Sequence, residues 1–247
     1  MLADVSPFAL LIAFAAGFIP ALVWLVFWLF EDQRRPEPRR LVIRTFLVGM
    51  IAVPIVLPLE KAALDIGIPA GFTLFLVWAT IEELVKLGLA FIFILRSSAI
   101  DEPIDIPIYL ISLALGFSAV ENTLFLLTPI ADGRLLESII TGNLRFIGAS
   151  LIHVLASAAV GGAMAFAFYR ERAQKIWFAL IGVILAVSLH TVFNFLIIVT
   201  GANKLLTVFL GVWVGVIFLL LALERVKAMR RPAWWEKMFT YRAKGVK

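Results

Sequence analysis

The chain has 247 residues, of which 62% are hydrophobic and only 16% charged, and its mean hydropathy is +1.02; a soluble domain runs nearer roughly 45–50% apolar and about 25% charged. This excludes an ordinary soluble domain and describes an integral membrane protein, since seven spans of about 20 residues leave no room for a second, soluble unit. The lack of cysteine excludes disulfides, thiolate metal sites and cysteine nucleophiles, and the excess of 22 Lys+Arg over 17 Asp+Glu reports orientation and lipid contact rather than nucleic acid.

In chain order, the first predicted membrane helix runs from Phe8 to Phe30, uncharged throughout; its flank carries Asp4 and no base, so it is expected to be a span rather than a signal peptide. The second covers about 41–59, with Pro54 and Pro58 expected to kink it as Pro20 kinks the first. The third, 68–95, carries Glu82, Glu83 and Lys86, and the fourth, 106–128, carries Glu121 and Asn122. The fifth, 144–168, holds His153, and the sixth, 176–200, holds His190 and Asn194. The seventh, 204–223, has no polar motif. No ten-residue polar/apolar alternation occurs between turn signals, which excludes membrane strands. The expectation is an all-α, polytopic protein of about seven transmembrane helices, a single membrane domain over 1–247 with its polar core in 68–200.

Lys and Arg set the orientation. Seventeen of the 22 bases fall on one side, among them Arg34, Arg35, Arg39, Arg40, Arg44, Arg96, Arg170, Arg172 and Lys175 and those beyond Leu223. Lys61, Arg134, Arg145 and Lys204 fall on the other, and Lys86 lies inside a span. The N-terminus is therefore expected outside and the C-terminus in the cytoplasm. The tail 224–247, with Trp234, Trp235, Phe239 and Tyr241 among its bases, reads as an interfacial segment on anionic lipid.

Each ionised group near the bilayer centre costs about 2.5–3.5 kcal/mol on insertion scales, so Glu82, Glu83, Lys86, Glu121, His153 and His190 are expensive residues to retain for structure alone. Glu82 and Lys86 stand i,i+4 and are expected to neutralise one another, leaving Glu83, about 100° round the helix, free to point elsewhere. His190 and Asn194 also stand i,i+4. At about 1.5 Å per residue, Glu82, Glu121, His153 and His190 lie some 13–23 Å from the entry ends of their spans, from near the midplane to somewhat on the outer side and within one side chain's reach of a common level if the four helices are neighbours. Arg145 reads as an interfacial anchor that snorkels, and Asn122 as a group that caps or cross-bonds helices. Read from the residues alone, a proton-coupled transporter or a non-catalytic scaffold could use the same groups, although no repeated halves or matching broken helices support a transporter.

Glu82-Glu83-Leu84-Val85-Lys86 reads as EExxK, Phe117 to Asn122 as FxxxEN, His153 follows in the next span, and His190 to Asn194 reads as HxxxN. This resembles the PrsW family of bacterial intramembrane proteases, within the wider superfamily of CAAX prenyl endopeptidases and bacteriocin-processing proteins. The resemblance implies peptide-bond hydrolysis in the bacterial inner membrane, on a membrane-anchored protein substrate such as an anti-sigma factor. Amide hydrolysis needs an activated water and a donor for the developing oxyanion. Glu82 or Glu83 is expected as base, with His153 assisting and His190 with Asn194 polarising the carbonyl. A divalent metal such as Zn2+ on some of Glu82, Glu121, His153 and His190 is the chemical alternative. No Gly-x-Ser-x-Gly elbow and no HExxH occurs, which disfavours serine and zincin mechanisms.

Overall fold

The computed structural model describes residues 6–30, 36–199 and 205–233. The helices in chain order are α1 (Pro7–Leu29), α2 (Arg39–Asp65), α3 (Phe72–Phe93), α4 (Asp105–Ala131), α5 (Leu135–Leu144), α6 (Ser150–Phe166), α7 (Arg172–Val199) and α8 (Leu205–Lys227). A π-helical turn, Arg145–Ala149, joins α5 to α6, so Leu135–Phe166 crosses as one element of 32 residues. No strand occurs among the described residues.

Six elements are long and apolar enough to span a bilayer. α3 has the length, at 22 residues, but Glu82, Glu83 and Lys86 dilute its apolarity. The protein is thus an all-helical, multi-pass membrane protein. The expected fifth span begins nine residues early, because Glu137, Ser138, Thr141 and Asn143 interrupt the apolar run of α5, which buries no residue. Ser6 starts α1 as a cap, its hydroxyl accepting from the Ala9 amide at 3.1 Å, with Pro7 in the first turn. Pro20, Pro54 and Pro58 lie inside continuous helices. The expected basic tail, with Trp234, Trp235, Phe239 and Tyr241, lies outside the described residues.

α4 is the axis of the molecule. Every residue from Asp105 to Ala119 is buried, as an all-round apolar helix requires. Five helices close a ring, α4 against α2, α2 against α3, α3 against α7, α7 against α6, and α6 back against α4. α1 packs outside the ring on α4, and α8 outside it on α6. The α2–α4 crossing is a backbone-to-backbone contact. A Cβ on Gly49 would stand 1.9 Å from the Leu113 carbonyl oxygen, and one on Gly116 the same 1.9 Å from that of Phe46. Small residues allow this approach where lipid supplies no hydrophobic drive between helices. Large apolar side chains such as Ile43, Phe91, Ile184 and Phe218 are exposed on the outer face of the bundle, as contact with acyl chains requires.

Candidate active site

Inside the ring lies a cavity of about 450 Å³ whose walls come from α2, α3, α4, α6, α7 and the π-turn. Glu82 reaches it from α3, Glu121 from α4, His153 from α6, and His190 with Asn194 from α7, while Glu83 stands behind Glu82 in the same cluster. All but Glu121 and Asn194 are buried. The predicted level is therefore real: four helices distant in sequence deliver their polar groups to one place.

The carboxylates divide by partner. Glu83 Oε1 accepts from Lys86 Nζ at 2.6 Å and meets His190 Nδ1 at 3.0 Å. Glu82 Oε2 stands 3.8 Å from Lys86 and is buried with no hydrogen-bond partner. The expected i,i+4 ion pair is present at 3.8 Å, but the hydrogen bond goes to Glu83, which is not free as expected. Lys86 leans one helical step back to Glu83, since i,i+3 and i,i+4 neighbours are both within reach, and the carboxylate left over is Glu82. Glu121 Oε2 meets His153 Nε2 at 2.9 Å and is gripped by the Arg145 guanidinium, which also donates to Asn122 Oδ1. Arg145 is therefore no snorkelling anchor; the π-turn carries it into the cavity wall, over the Phe125 ring at 4.0 Å. Asn122 does cross-bond helices, its amide donating to Ser118 and, at 3.0 Å, to Ser150 of α6.

These partners fix the imidazole tautomers, because a neutral ring donates from the nitrogen that faces a carboxylate. His190 donates from Nδ1 to Glu83, and His153 from Nε2 to Glu121. The remaining nitrogens, His190 Nε2 and His153 Nδ1, turn toward Glu82 Oε2 at 3.9 and 3.7 Å. Lys86 Nζ lies 3.3 Å from that same Nδ1, as an acceptor lone pair there requires. The rings cross edge to face, centroids 4.8 Å apart. Three acceptors thus converge on one buried point. Such a point demands a positive charge or a proton, because acceptors crowded in a low-dielectric interior repel one another; Lys86 answers this for His153 Nδ1, while Glu82 Oε2 has no hydrogen-bond partner.

The donor set suits a divalent metal. Ligand atoms of Glu82, Glu83, His153 and His190 lie within 4.8 Å of one another, and two imidazoles with carboxylate match the borderline-soft chemistry of zinc. The orphaned Glu82 oxygen gives such an ion a partner to satisfy. Glu121 faces the opposite ring nitrogen of His153.

Of the wall residues, Glu60 escaped the sequence reading and Arg145 was read there as an anchor. Glu60, near the end of α2, lines the cavity beside Glu82, and its carbonyl accepts from Trp78 Nε1 at 3.3 Å. It lies one residue beyond the apolar run of α2 and next to Lys61, so nothing in the sequence separates it from a loop acid. Arg145 carries no distinguishing pattern either. A second cavity of about 550 Å³, between α1, α4 and α5, is lined by no titratable side chain.

A buried Glu/His cluster on membrane helices, lining a cavity between them, makes this the candidate active site of a polytopic membrane protein, and comparison with known proteins places the chain. The profile described as PrsW family intramembrane metalloprotease matches residues 37–223. The chain belongs to the PrsW family of intramembrane proteases. It is 30% identical over 189 residues to Protease PrsW of Geobacillus kaustophilus, covering 74% of this chain and 79% of that protein. To the Bacillus subtilis protein of the same name it is 27% identical over 187 residues, covering 74% and 81%. For the Clostridioides difficile protein the figures are 25% over 193 residues, 75% and 79%. No solved structure matches the chain. The protein is a multi-pass bacterial membrane protein.

Proposed function

We propose that the protein hydrolyses a peptide bond of a membrane-anchored protein, an anti-sigma factor being the substrate class that the family resemblance suggests, and that Glu82 is the centre of its chemistry. The observation that carries this is the convergence of Glu82 Oε2, His153 Nδ1 and His190 Nε2 on one buried point.

A divalent metal would be held there by Glu82, His153 and His190, where it would supply Lewis-acid polarisation of a carbonyl or water oxygen. Glu83 and Glu121 orient the two rings from behind, the carboxylate–histidine arrangement that raises ligand basicity. Arg145 compensates the charge of Glu121. Asn194, on the cavity wall one turn from His190, supplies an amide donor to the carbonyl oxygen as negative charge develops on it. The Glu82 carboxylate oxygen that does not face the convergence takes a proton from the attacking water and returns it to the departing amine. The polar rim of the cavity, with Glu60 and Arg145, admits water into an otherwise apolar wall. The basic tail is assigned to anionic lipid on composition alone.

A second reading is favoured by Lys86, whose ammonium already stands 3.3 Å from His153 Nδ1 and 3.8 Å from Glu82. In this reading Lys86 is the cation at the convergence, and Glu82 acts as base in a glutamic protease. Metal analysis of purified protein decides. Wild type is expected to hold about one divalent ion per chain, Glu82→Gln and His153→Ala to lose it, and both variants to lose cleavage of a transmembrane peptide. Full cleavage by metal-free wild type in the presence of a chelator would refute the metal reading, and full cleavage by Glu82→Gln would refute both.

A further inference from the structure

At the end of the bundle opposite the mouth of the catalytic cavity, a smaller cleft of about 280 Å³ opens between the α3–α4 connection, the end of α6 and the first turn of α7. Its walls combine two cations, Arg96 and Lys175, with apolar side chains that include Ile106, Met164 and Phe168. No acid lines it. At the same end Lys227 pairs with Glu224 at 2.8 Å and Arg231 with Glu102 at 2.9 Å. Arg96 and Lys175 differ: neither has an ion-pair partner among the described residues. Each lies instead near an aromatic ring, Arg96 4.8 Å from the Phe91 centroid and Lys175 5.9 Å from that of Phe168.

The surroundings identify the kind of ligand. Phe91 and Ile92 of α3 and Ile176, Trp177 and Leu180 of α7 are exposed beside the cleft on the outer face of the bundle. Trp177 is the kind of residue that marks the headgroup level of a bilayer. Two cations with no ion-pair partner among the described residues, above an apolar wall continuous with a lipid-facing surface, complement a molecule with one anionic group and a long apolar body. We propose that the cleft binds an anionic phospholipid, its phosphate held by Arg96 and Lys175 and its glycerol region and first methylenes lying against Ile106, Met164 and Phe168. The proposal rests on Arg96 and Lys175 rather than on the basic tail and is independent of the catalytic reading.

The test uses the full chain in neutral detergent, titrated with phosphatidylglycerol and counted for retained lipid by native mass spectrometry. Wild type is expected to retain one tightly held phosphatidylglycerol, and Arg96→Gln/Lys175→Gln to hold it about thirtyfold more weakly, the loss of two charges beside an anionic group. Both side chains are exposed, so the variant should fold, and an unchanged melting temperature checks this. Arg170→Gln/Arg172→Gln, on the same end but outside the cleft, should leave the tight lipid in place. Equal weakening in the two double variants, or none in either, would overturn the site in favour of general surface charge. Equal retention of phosphatidylcholine would overturn the anionic assignment, and displacement of the lipid by inorganic phosphate would assign the cations to a free anion instead.

Discussion

Replacing Lys86 with alanine strands two carboxylates in the interior of the bundle. The Lys86 side chain is 3% exposed and its ammonium lies 2.6 Å from Glu83 and 3.8 Å from Glu82, whose own side chains are 1% and 5% exposed. Removing one partner of a buried pair costs about 3–5 kcal/mol, most of it the penalty of the charge left behind. For a chain of this size about 1 kcal/mol moves the melting temperature by roughly 2–4 °C, so Lys86→Ala should melt some 6–20 °C below wild type. Adding Glu83→Gln removes the nearest stranded charge in the same shape. The double variant should recover stability to within about 1–2 kcal/mol of wild type, because a buried pair is worth little once both charges are gone. Its activity should not recover, since the cation beside Glu82 and His153 is still missing. Thermal unfolding in detergent, read alongside cleavage of a transmembrane peptide, measures both quantities. A Lys86→Ala protein melting within about 2 °C of wild type, or a double variant as unstable as the single one, would refute this account of the cluster.

Asn194→Ala should lower kcat by about 10²–10³ with a modest change in KM, the range for loss of one oxyanion donor; a destabilised variant with normal single-turnover cleavage would make Asn194 an interhelical bond instead. Gly116→Ala drives a methyl into the Phe46 carbonyl, whereas a Cβ on Gly211 meets nothing within 4 Å. Unfolding should therefore show a loss of about 3 kcal/mol or more for the first, beyond usual overpacking because the neighbour is backbone, and no loss for the second. Reporter fusions should place the C-terminus in the cytoplasm and Gly133 outside; reversal of either signal would overturn the orientation drawn from the basic residues.

The helices were legible because apolar length is the dominant signal in a membrane sequence; six of the seven expected spans are long and apolar enough to cross, and α3 has the length with its apolarity diluted by charge. What the sequence could not show is which helices are neighbours. The closed ring depends on contacts such as Gly49 on Leu113, and a glycine in a span looks the same whether it meets backbone or lipid. The polar residues were visible for the opposite reason: a charge in an apolar run has no cheap explanation. Their partners were not. Spacing allows Lys86 to reach either glutamate, and only the presence of His190 beside Glu83 and of His153 beside Lys86 shows the arrangement. Arg145 was misread because an arginine between a polar stretch and an apolar one has the pattern of an anchor. The π-turn that puts it in the cavity wall is spelled by Arg-Phe-Ile-Gly-Ala, which carries no signal of its own.

The chain contains only two histidines, and both rings stand in the cluster. Nitrogen-15 placed in histidine alone would therefore give a magnetic-resonance spectrum in which every imidazole signal comes from the candidate site and none from the rest of the protein. The two rings should also be told apart without assignment by mutation, because one carries its proton on Nδ1 and the other on Nε2, and the two nitrogen types resonate in different patterns. An inhibitor, a metal ion or a substrate analogue entering the cavity would be seen from inside, at the two nitrogens that face Glu82, in a molecule otherwise silent.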